Sequence, residues 1–409
     1  MSSSAQGRPA RTVLVHVGAP KTGTSFVQDV LFQHREALAE QGVLYPADRF
    51  DAHFLAALDL MELRWGGLER QAVGAWGRLA EQVRAWSGTV IVSHEILATA
   101  SRAQVRRAMQ SFGEDSEVHV IVSVRDLVRQ VPAEWQENVK HRRTLGYRAF
   151  LDQVTGAARR GTVGSWFWSV QDIPAVLDRW AADVPPERVH VVTVPRPGAP
   201  RHVLWERFAE VFRLDPVAFD TTTERANPSL GVAETALLRK VNEKVNDGVL
   251  PNERYRELVR EVLAHRTLSR RTTSSRLRLP EDVHAWAAQR CEEWIADLAS
   301  RGYDVVGDLE DLRPDPPADG RFEDPDRTTP KAMMDPALES IVALLRRSAE
   351  MRDEIDDLHR RVATLTHERD VARGEIGLWL RSKRAFVARA ETHRSMGLAL
   401  RAYRRVRGR

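Results

Sequence analysis

The 409-residue sequence contains a single cysteine, Cys291. One cysteine cannot form an intramolecular disulfide, and a chain of this kind is typical of a reducing compartment. No uninterrupted apolar run approaches the ~18 residues that a membrane-spanning helix needs. The opening segment, MSSSAQGRPARTV, also lacks the long apolar region of a signal peptide. We therefore expect a cytoplasmic protein that does not span a membrane.

Metal-binding and nucleotide-triphosphatase motifs are also missing. There is no HExxH, no paired CxxC and no acidic EF-hand loop, so no metal is expected. Gly18 and Gly23 have the spacing of a Walker A loop and Ser25 supplies its hydroxyl, but Thr24 stands where the lysine belongs. The lysine lies earlier, at Lys21, and no Walker B acid follows either central strand. The pattern favours another class of phosphate ligand.

A buried strand, a tight loop and an amphipathic helix are predicted between Thr12 and Gln33. Glycines let several N–H groups approach one anion, and the positive end of a helix beginning near Thr24 reinforces them. Further donors come from the side chains of Lys21, Thr22, Thr24 and Ser25. An ordinary strand–turn–helix is the alternative, but a bare turn requires neither three hydroxyls nor a lysine beside its glycines.

The segment HVGAPKTGTSFVQ resembles the 5′-phosphosulfate loop of sulfotransferases that use 3′-phosphoadenosine 5′-phosphosulfate (PAPS). The family pattern is roughly PK[ST]GT[ST], which residues 20–25 match. The resemblance implies that Lys21 holds the bridging oxygen of the phosphosulfate. It also implies that the 5′-phosphate is bound by Thr22, Gly23, Thr24 and Ser25.

A second segment, Glu117–Arg142, resembles the 3′-phosphate motif of the same family. Arg125 matches the arginine that ends a strand, and its planar fork suits bidentate phosphate contact. The serine expected eight residues later is replaced by Ala133, so Arg129 or backbone groups are candidates to hold the 3′-phosphate instead. The structural alternative for Arg125 is a solvated arginine paired with Asp126.

A later basic loop, Ser269–Arg278, offers further candidates. Sulfotransferases often bind the 3′-phosphate and the adenine partly through a loop of this kind. The resemblance implies this role for Arg270 and Arg271, and an ordinary surface loop is the alternative.

Another candidate region is Gly88–Ala100. It contains a predicted strand that ends in the polar residues Ser93, His94 and Glu95. Side chains at the carboxyl ends of strands in open α/β sheets lie beside bound ligands. Sulfuryl transfer to an alcohol needs a base, and either Glu95 or His94 is a candidate, with Glu95 favoured for a carbohydrate-like acceptor. In the alternative, His94 caps the next helix and Glu95 is a surface acid.

Four strands alternating with helical segments predict an α/β fold with a mainly parallel central sheet and flanking helices. The sulfotransferase resemblance implies the same sheet. We place this domain at residues 12–311, after a disordered N-terminus at residues 1–11.

The composition changes beyond this domain. Residues 312–335, rich in Pro and Asp, are predicted to form an extended linker. Residues 336–373 carry a heptad pattern with mostly β-branched residues at a and leucine at d, which favours a parallel two-stranded coiled coil and a homodimer. A helix packed back on the catalytic domain is the alternative.

A basic, amphipathic tail is predicted at residues 374–409. Residues 376–409 carry a net charge of about +9, so the rest of the chain is about −5. Such a tail suits an anionic membrane surface or an acidic partner protein, with a disordered solubilising tail as the alternative. No nucleic-acid recognition motif is present, so no nucleic-acid partner is expected.

These patterns lead to one main functional hypothesis. It is a PAPS-dependent sulfotransferase acting on a hydroxyl of a carbohydrate, lipid or secondary-metabolite acceptor. A P-loop kinase is the enzymatic alternative. A catalytically inactive sulfotransferase-like scaffold, dimerising through the coiled coil, is the third.

Overall fold

Six strands form the central sheet of the computed structural model. They are β1 (Arg11–His16), β2 (Val43–Leu44), β3 (Gly88–Ser93), β4 (Ser116–Val124), β5 (Val189–Thr193) and β6 (Asp304–Val306). Their spatial order is β2–β3–β1–β4–β5–β6, and every neighbouring pair is parallel. The predicted α/β fold with a mainly parallel sheet is confirmed. Two short edge strands, β2 and β6, were not predicted.

The structure describes residues 11–156, 161–200, 202–222, 229–245, 248–317, 322–392 and 394–406. The chain divides into two units, Met1–Ser340 and Ile341–Arg409. Residues 1–10 lie outside the described part, so the disordered N-terminus stays a prediction.

Helices fill the connections between the strands. In chain order they are α1 (Thr24–Gln33), α2 (Arg35–Glu40), α3 (Ala52–Met61), α4 (Glu69–Ala72), α5 (Ala75–Ala85), α6 (Arg102–Ser111), α7 (Leu127–Lys140), α8 (Tyr147–Thr155), α9 (Thr162–Gln171), α10 (Ile173–Trp180), α11 (His202–Phe212), α12 (Val232–Lys244), α13 (Asn252–Arg254), a π-helix (Tyr255–Thr267), α14 (Glu281–Ser300), α15 (Pro330–Thr392) and α16 (Arg394–Val406). None of the helices in these described ranges is both long and apolar enough to cross a membrane.

Both faces of the sheet are buried, which explains why its strands are continuous β-branched runs. On one face Leu14, Ile91 and Ile121 pack with Val27 of α1 and Phe208 of α11. The opposite face presents valines of the same central strands, also buried. Burial on both sides fixes β1, β3 and β4 side by side and brings the loops that follow them to one edge of the sheet.

Part of the segment predicted as an extended linker is packed within the first unit. The carboxylate of Asp326 accepts the backbone N–H groups of Tyr147 and Arg148, both at 2.9 Å, at the start of α8. Helix α15 then begins at Pro330 and runs without a break to Thr392. The structure therefore shows no helix boundary where the sequence divides a coiled coil from a basic tail.

Candidate functional site

The loop between β1 and α1 lies beside the turn that follows β3. Gly18 has φ +133°, and a Cβ there would lie 3.0 Å from the Glu95 carbonyl oxygen. Gly23, with φ +90°, is the N-cap of α1. These two glycines let the loop approach the Glu95 backbone and turn directly into the helix.

The carbonyl groups of this loop are held from inside the protein. The Ser123 N–H donates to the Gly18 carbonyl at 2.6 Å. The side-chain amides of Gln130 and Gln171 donate to the Pro20 carbonyl at 2.5 and 3.1 Å. The Arg125 guanidinium donates to the Lys21 carbonyl at 3.1 Å. Within the described ranges, no acceptor takes the N–H groups of residues 21–25. With its carbonyls fixed inward and its amides unpaired at a helix N-terminus, the loop has the geometry of an anion site.

The Thr22 hydroxyl belongs to the interior. Thr22 is only 2% exposed, and its hydroxyl donates to the Ala19 carbonyl at 2.6 Å. Its oxygen lies 2.5 Å from the Ser123 hydroxyl, which contacts His16 at 3.2 Å. Burial lowers the pKa of His16 to about 4, so the ring is neutral. Thr22 thus supports the loop through its side chain, and a ligand contact is left to its N–H.

Lys21, Gly23, Thr24 and Ser25 line a large cleft of about 2390 Å³. The Lys21 ammonium lies 2.6 Å from the carboxylate of Glu137 on α7. Burial alone would raise the pKa of Glu137, but Lys21 and His141 more than offset it and hold the pKa well below its usual value. Glu137 is therefore ionised and keeps Lys21 at the mouth of the loop.

Arg125 also lines this cleft. Asp126 pairs with Arg129 and not with Arg125, so the structural alternative for Arg125 does not hold. Its Nε is buried and has no hydrogen-bond partner among the described residues. Burial and the neighbouring Arg129 lower the pKa of Arg125 to about 10, which leaves the guanidinium charged at neutral pH.

The other predicted arginines lie away from the cleft lining. Arg129 donates to the Pro195 carbonyl at 2.9 Å and pairs with Asp126. Arg271 lies 2.8 Å from Glu234, a fully buried acid, and also pairs with Glu339. Neither they nor Arg270 line the cleft that contains Lys21. Their predicted ligand roles stay predictions, and the geometry offers them structural ones.

His94 and Glu95 sit together at the end of β3 and both line the cleft. The His94 Nδ1 accepts the Ile96 N–H at 3.3 Å, so a neutral ring carries its proton on Nε2. Glu95 accepts a hydrogen bond from the Gln28 amide at 3.1 Å. Burial would raise the pKa of Glu95, but His94, Gln28 and Lys21 bring it below its ordinary value. His94 therefore caps the next turn, as the alternative proposed, and Glu95 is not a surface acid.

Helix α7 contributes residues that the sequence analysis missed. Its cleft face carries Glu134, Glu137, Lys140 and, just past its end, His141. Burial lowers the pKa of Lys140 to about 8. Arg260, from the π-helix, lies 3.6 Å from Glu137. The sequence feature that could have identified them is the helical spacing of these polar residues on a helix that is otherwise buried.

A row of aromatic rings extends from His94 along one wall of the cleft. Phe54 stacks on His94 with ring centroids 5.0 Å apart, and Trp65 contacts Phe54 at 5.6 Å. Trp166 follows at 5.8 Å from Trp65. Phe54, Trp65 and Trp166 are half-buried and line the cleft, whereas Trp168 is buried and packs in the core.

Comparisons with known proteins give one structural likeness. No family model matches the chain, and no curated protein matches it. Among solved structures, the chain is similar to a sulfotransferase from Alicyclobacillus acidocaldarius, at 20% identity and a TM-score of 0.36. The similarity covers 62% of this chain and 96% of that one. It decides nothing about the reaction, which has to be inferred from the cleft itself.

Proposed function

We propose that the protein is a PAPS-dependent sulfotransferase acting on a hydroxyl group. One observation carries the proposal: the loop at residues 18–25 holds its carbonyls inward and leaves its amides, with Lys21, for an anion. Arg125, at the end of the adjacent strand, adds a charged guanidinium with an unpartnered Nε among the described residues. These groups suit a ligand with two anionic ends.

The residues of the cleft divide the chemistry between them. The acceptor oxygen attacks sulfur, the bond from sulfur to the bridging oxygen breaks, and adenosine 3′,5′-bisphosphate leaves. Lys21 and the loop amides stabilise the charge that develops on the bridging oxygen and the 5′-phosphate. Glu95 takes the hydroxyl proton, because it is ionised at neutral pH. His94, with its proton on Nε2, orients the acceptor as a hydrogen-bond donor.

The 3′-phosphate side of the donor site differs from the family pattern. Ala133 lines the cleft and supplies no hydroxyl, and Arg129 is held by Asp126. We assign the 3′-phosphate to Arg125, with Arg260 as a second donor, since its Nε is also buried without a partner in the described part of the chain. We base this assignment on the basic side chains that line the cleft.

The aromatic row supports an acceptor with a flat or apolar face. Trp65, Trp166 and Phe54 lie next to the His94–Glu95 pair, where the acceptor hydroxyl has to reach. Sugar rings, aromatic rings and lipid chains all bury area well against aromatic side chains. Carbohydrate, lipid and secondary-metabolite acceptors therefore remain within the proposal.

The first test is ligand binding. We expect adenosine 3′,5′-bisphosphate to raise the melting temperature, and Lys21→Ala to weaken its binding by about 10- to 100-fold, since a charge-assisted hydrogen bond contributes about 1.5–3 kcal/mol. Isothermal titration calorimetry measures the change. Lys244→Ala, an exposed lysine outside the cleft, is the matched control and should bind normally.

Other outcomes separate the alternatives. Stabilisation by ATP with magnesium and not by the bisphosphate would favour a P-loop kinase. Tight bisphosphate binding without sulfuryl transfer to any acceptor in a broad panel, using labelled donor, would favour an inactive scaffold. For an active enzyme, Glu95→Gln should lower turnover by about 10²- to 10⁴-fold while donor binding persists.

A further inference from the structure

Glu134 is a buried acid that the proposed mechanism does not use. It lies on α7 and lines the cleft, yet only 5% of the residue is exposed. Its Oε2 is buried and has no hydrogen-bond partner among the described residues. A buried carboxylate oxygen without a donor is costly, so the group needs either a cation or a proton.

The nearby cation is already engaged. Three charged groups act on Glu134: Lys21 from the loop, Glu95 from the turn after β3, and Glu137 one turn further along α7. Lys21 lies 2.6 Å from Glu137, so Glu134 shares this cation with a second carboxylate. Two ionised carboxylates then oppose a third negative charge at Glu134. Burial, with the repulsion from Glu137 and Glu95, raises the pKa of Glu134 to about 7 despite Lys21.

Binding of an anionic ligand shifts the protonation equilibrium of Glu134 further towards the uncharged acid. A phosphosulfate at the Lys21 loop adds negative charge close to Glu134, which disfavours the carboxylate and favours the acid. The O–H of the acid also needs an acceptor, and the described residues supply none to Oε2. A phosphate or sulfonate oxygen can accept that hydrogen bond.

We propose that Glu134 is part of the anion site as an uncharged carboxylic acid that donates a hydrogen bond to the bound donor, so that donor binding takes up a proton. The identity of the ligand rests on the proposed function. The proton coupling rests on the buried, unpartnered Oε2 of Glu134 among the described residues and on the ion pair of Glu137 with Lys21 one helical turn away. Protonation thus lets the cleft hold a highly charged ligand beside two permanent negative charges.

The test compares Glu134→Gln with the wild-type protein, because glutamine keeps the shape and a donor but cannot titrate. The probe is adenosine 3′,5′-bisphosphate, titrated calorimetrically at pH 6, 7 and 8 in buffers of different ionisation enthalpy. The phosphates of the probe titrate in the same range, and the difference between the two proteins removes their contribution. Glu293→Gln, an exposed acid of α14, is the control and should match the wild type.

We expect wild-type affinity to fall more steeply with pH than that of Glu134→Gln, by up to about tenfold per pH unit above pH 7, with additional proton uptake on binding. At pH 6 the two proteins should bind within about threefold of each other. Equal pH profiles and equal proton uptake would overturn the inference while leaving the donor assignment intact. A different result would assign Glu134 the role of a base. In that case Glu134→Gln would bind the bisphosphate normally and lose turnover, and the wild-type affinity would fall no more steeply with pH than that of the variant. That result would also overturn the inference. If neither protein binds the bisphosphate at any pH, the donor assignment fails and the coupling fails with it.

Discussion

At the scale of single residues, Ser123 connects the anion loop to the sheet. It is fully buried, and its hydroxyl donates to the Gly18 carbonyl at 2.9 Å and contacts Thr22 and His16. The loop conformation therefore depends on a residue of β4 that lies outside the loop itself.

We expect Ser123→Ala to lower the free energy of unfolding by about 1–3 kcal/mol, because it leaves buried polar groups without a partner. Bisphosphate binding should weaken as well, since the loop loses an internal support. Urea unfolding followed by circular dichroism measures the first effect and calorimetry the second. Ser300→Ala, whose exposed hydroxyl donates to the Asp297 carbonyl of its own helix, is the control. A variant as stable as the wild type would show that the contact is dispensable.

At the scale of elements, a polar seam crosses the carboxyl ends of three central strands. His16 of β1 lies between Ser93 of β3, at 2.8 Å, and Ser123 of β4, at 3.2 Å. His53 of α3 accepts the Ser93 N–H at 3.1 Å and lies next to the seam. Both rings are buried and neutral, which makes this edge of the sheet sensitive to acid.

We expect stability to fall between about pH 6.5 and pH 4. Burial lowers the pKa of His16 and of His53 to about 4, whereas the unfolded chain titrates near 6.5. The unfolded state therefore binds more protons in this window, and each ring destabilises the fold by up to about 3 kcal/mol as the pH falls. Urea unfolding at pH 7.5, 5.5 and 4.5 provides the measurement. His53→Gln should flatten the profile, and an unchanged slope would contradict the assignment.

At the scale of the whole molecule, the second unit presents apolar residues at heptad spacing along one continuous helix. Ile355 and Val362 fall at a, Leu358 and Leu365 at d, and all four are exposed by 41–63%. Because α15 continues to Thr392, the same register places Ile376 at a and Trp379 and Phe386 at d, with Arg369 and Lys383 at the neighbouring a positions. The proposed coiled coil therefore has more heptads available than the predicted segment 336–373 contains.

We expect the full-length protein to be a dimer at micromolar concentration, and the double variant Leu358→Glu, Leu365→Glu to be a monomer. Charges at two d positions face each other in a parallel pair and oppose association. Light scattering coupled to gel filtration gives the mass. His367→Glu, at an f position, should remain dimeric. A monomeric wild-type protein would refute the coiled-coil proposal.

The sequence by itself determined the four longer strands of the sheet and the loop that precedes α1. β-branched runs can bury both faces, so four of the strands followed from composition, and residues 18–25 fixed a loop ahead of a helix. The edge strands β2 and β6 were too short to leave a pattern. Sequence spacing also placed Lys21, Arg125 and Glu95 at strand ends, because parallel strands bring their carboxyl ends together.

Only the tertiary structure decided what each side chain contacts. It turned the Thr22 hydroxyl inward, paired Arg271 with Glu234, and brought Glu137 to Lys21. The physical reason is the separation along the chain between the residues that interact. Strand and helix patterns come from neighbours along the chain, whereas ion pairs and buried acids depend on residues up to a hundred or more positions apart.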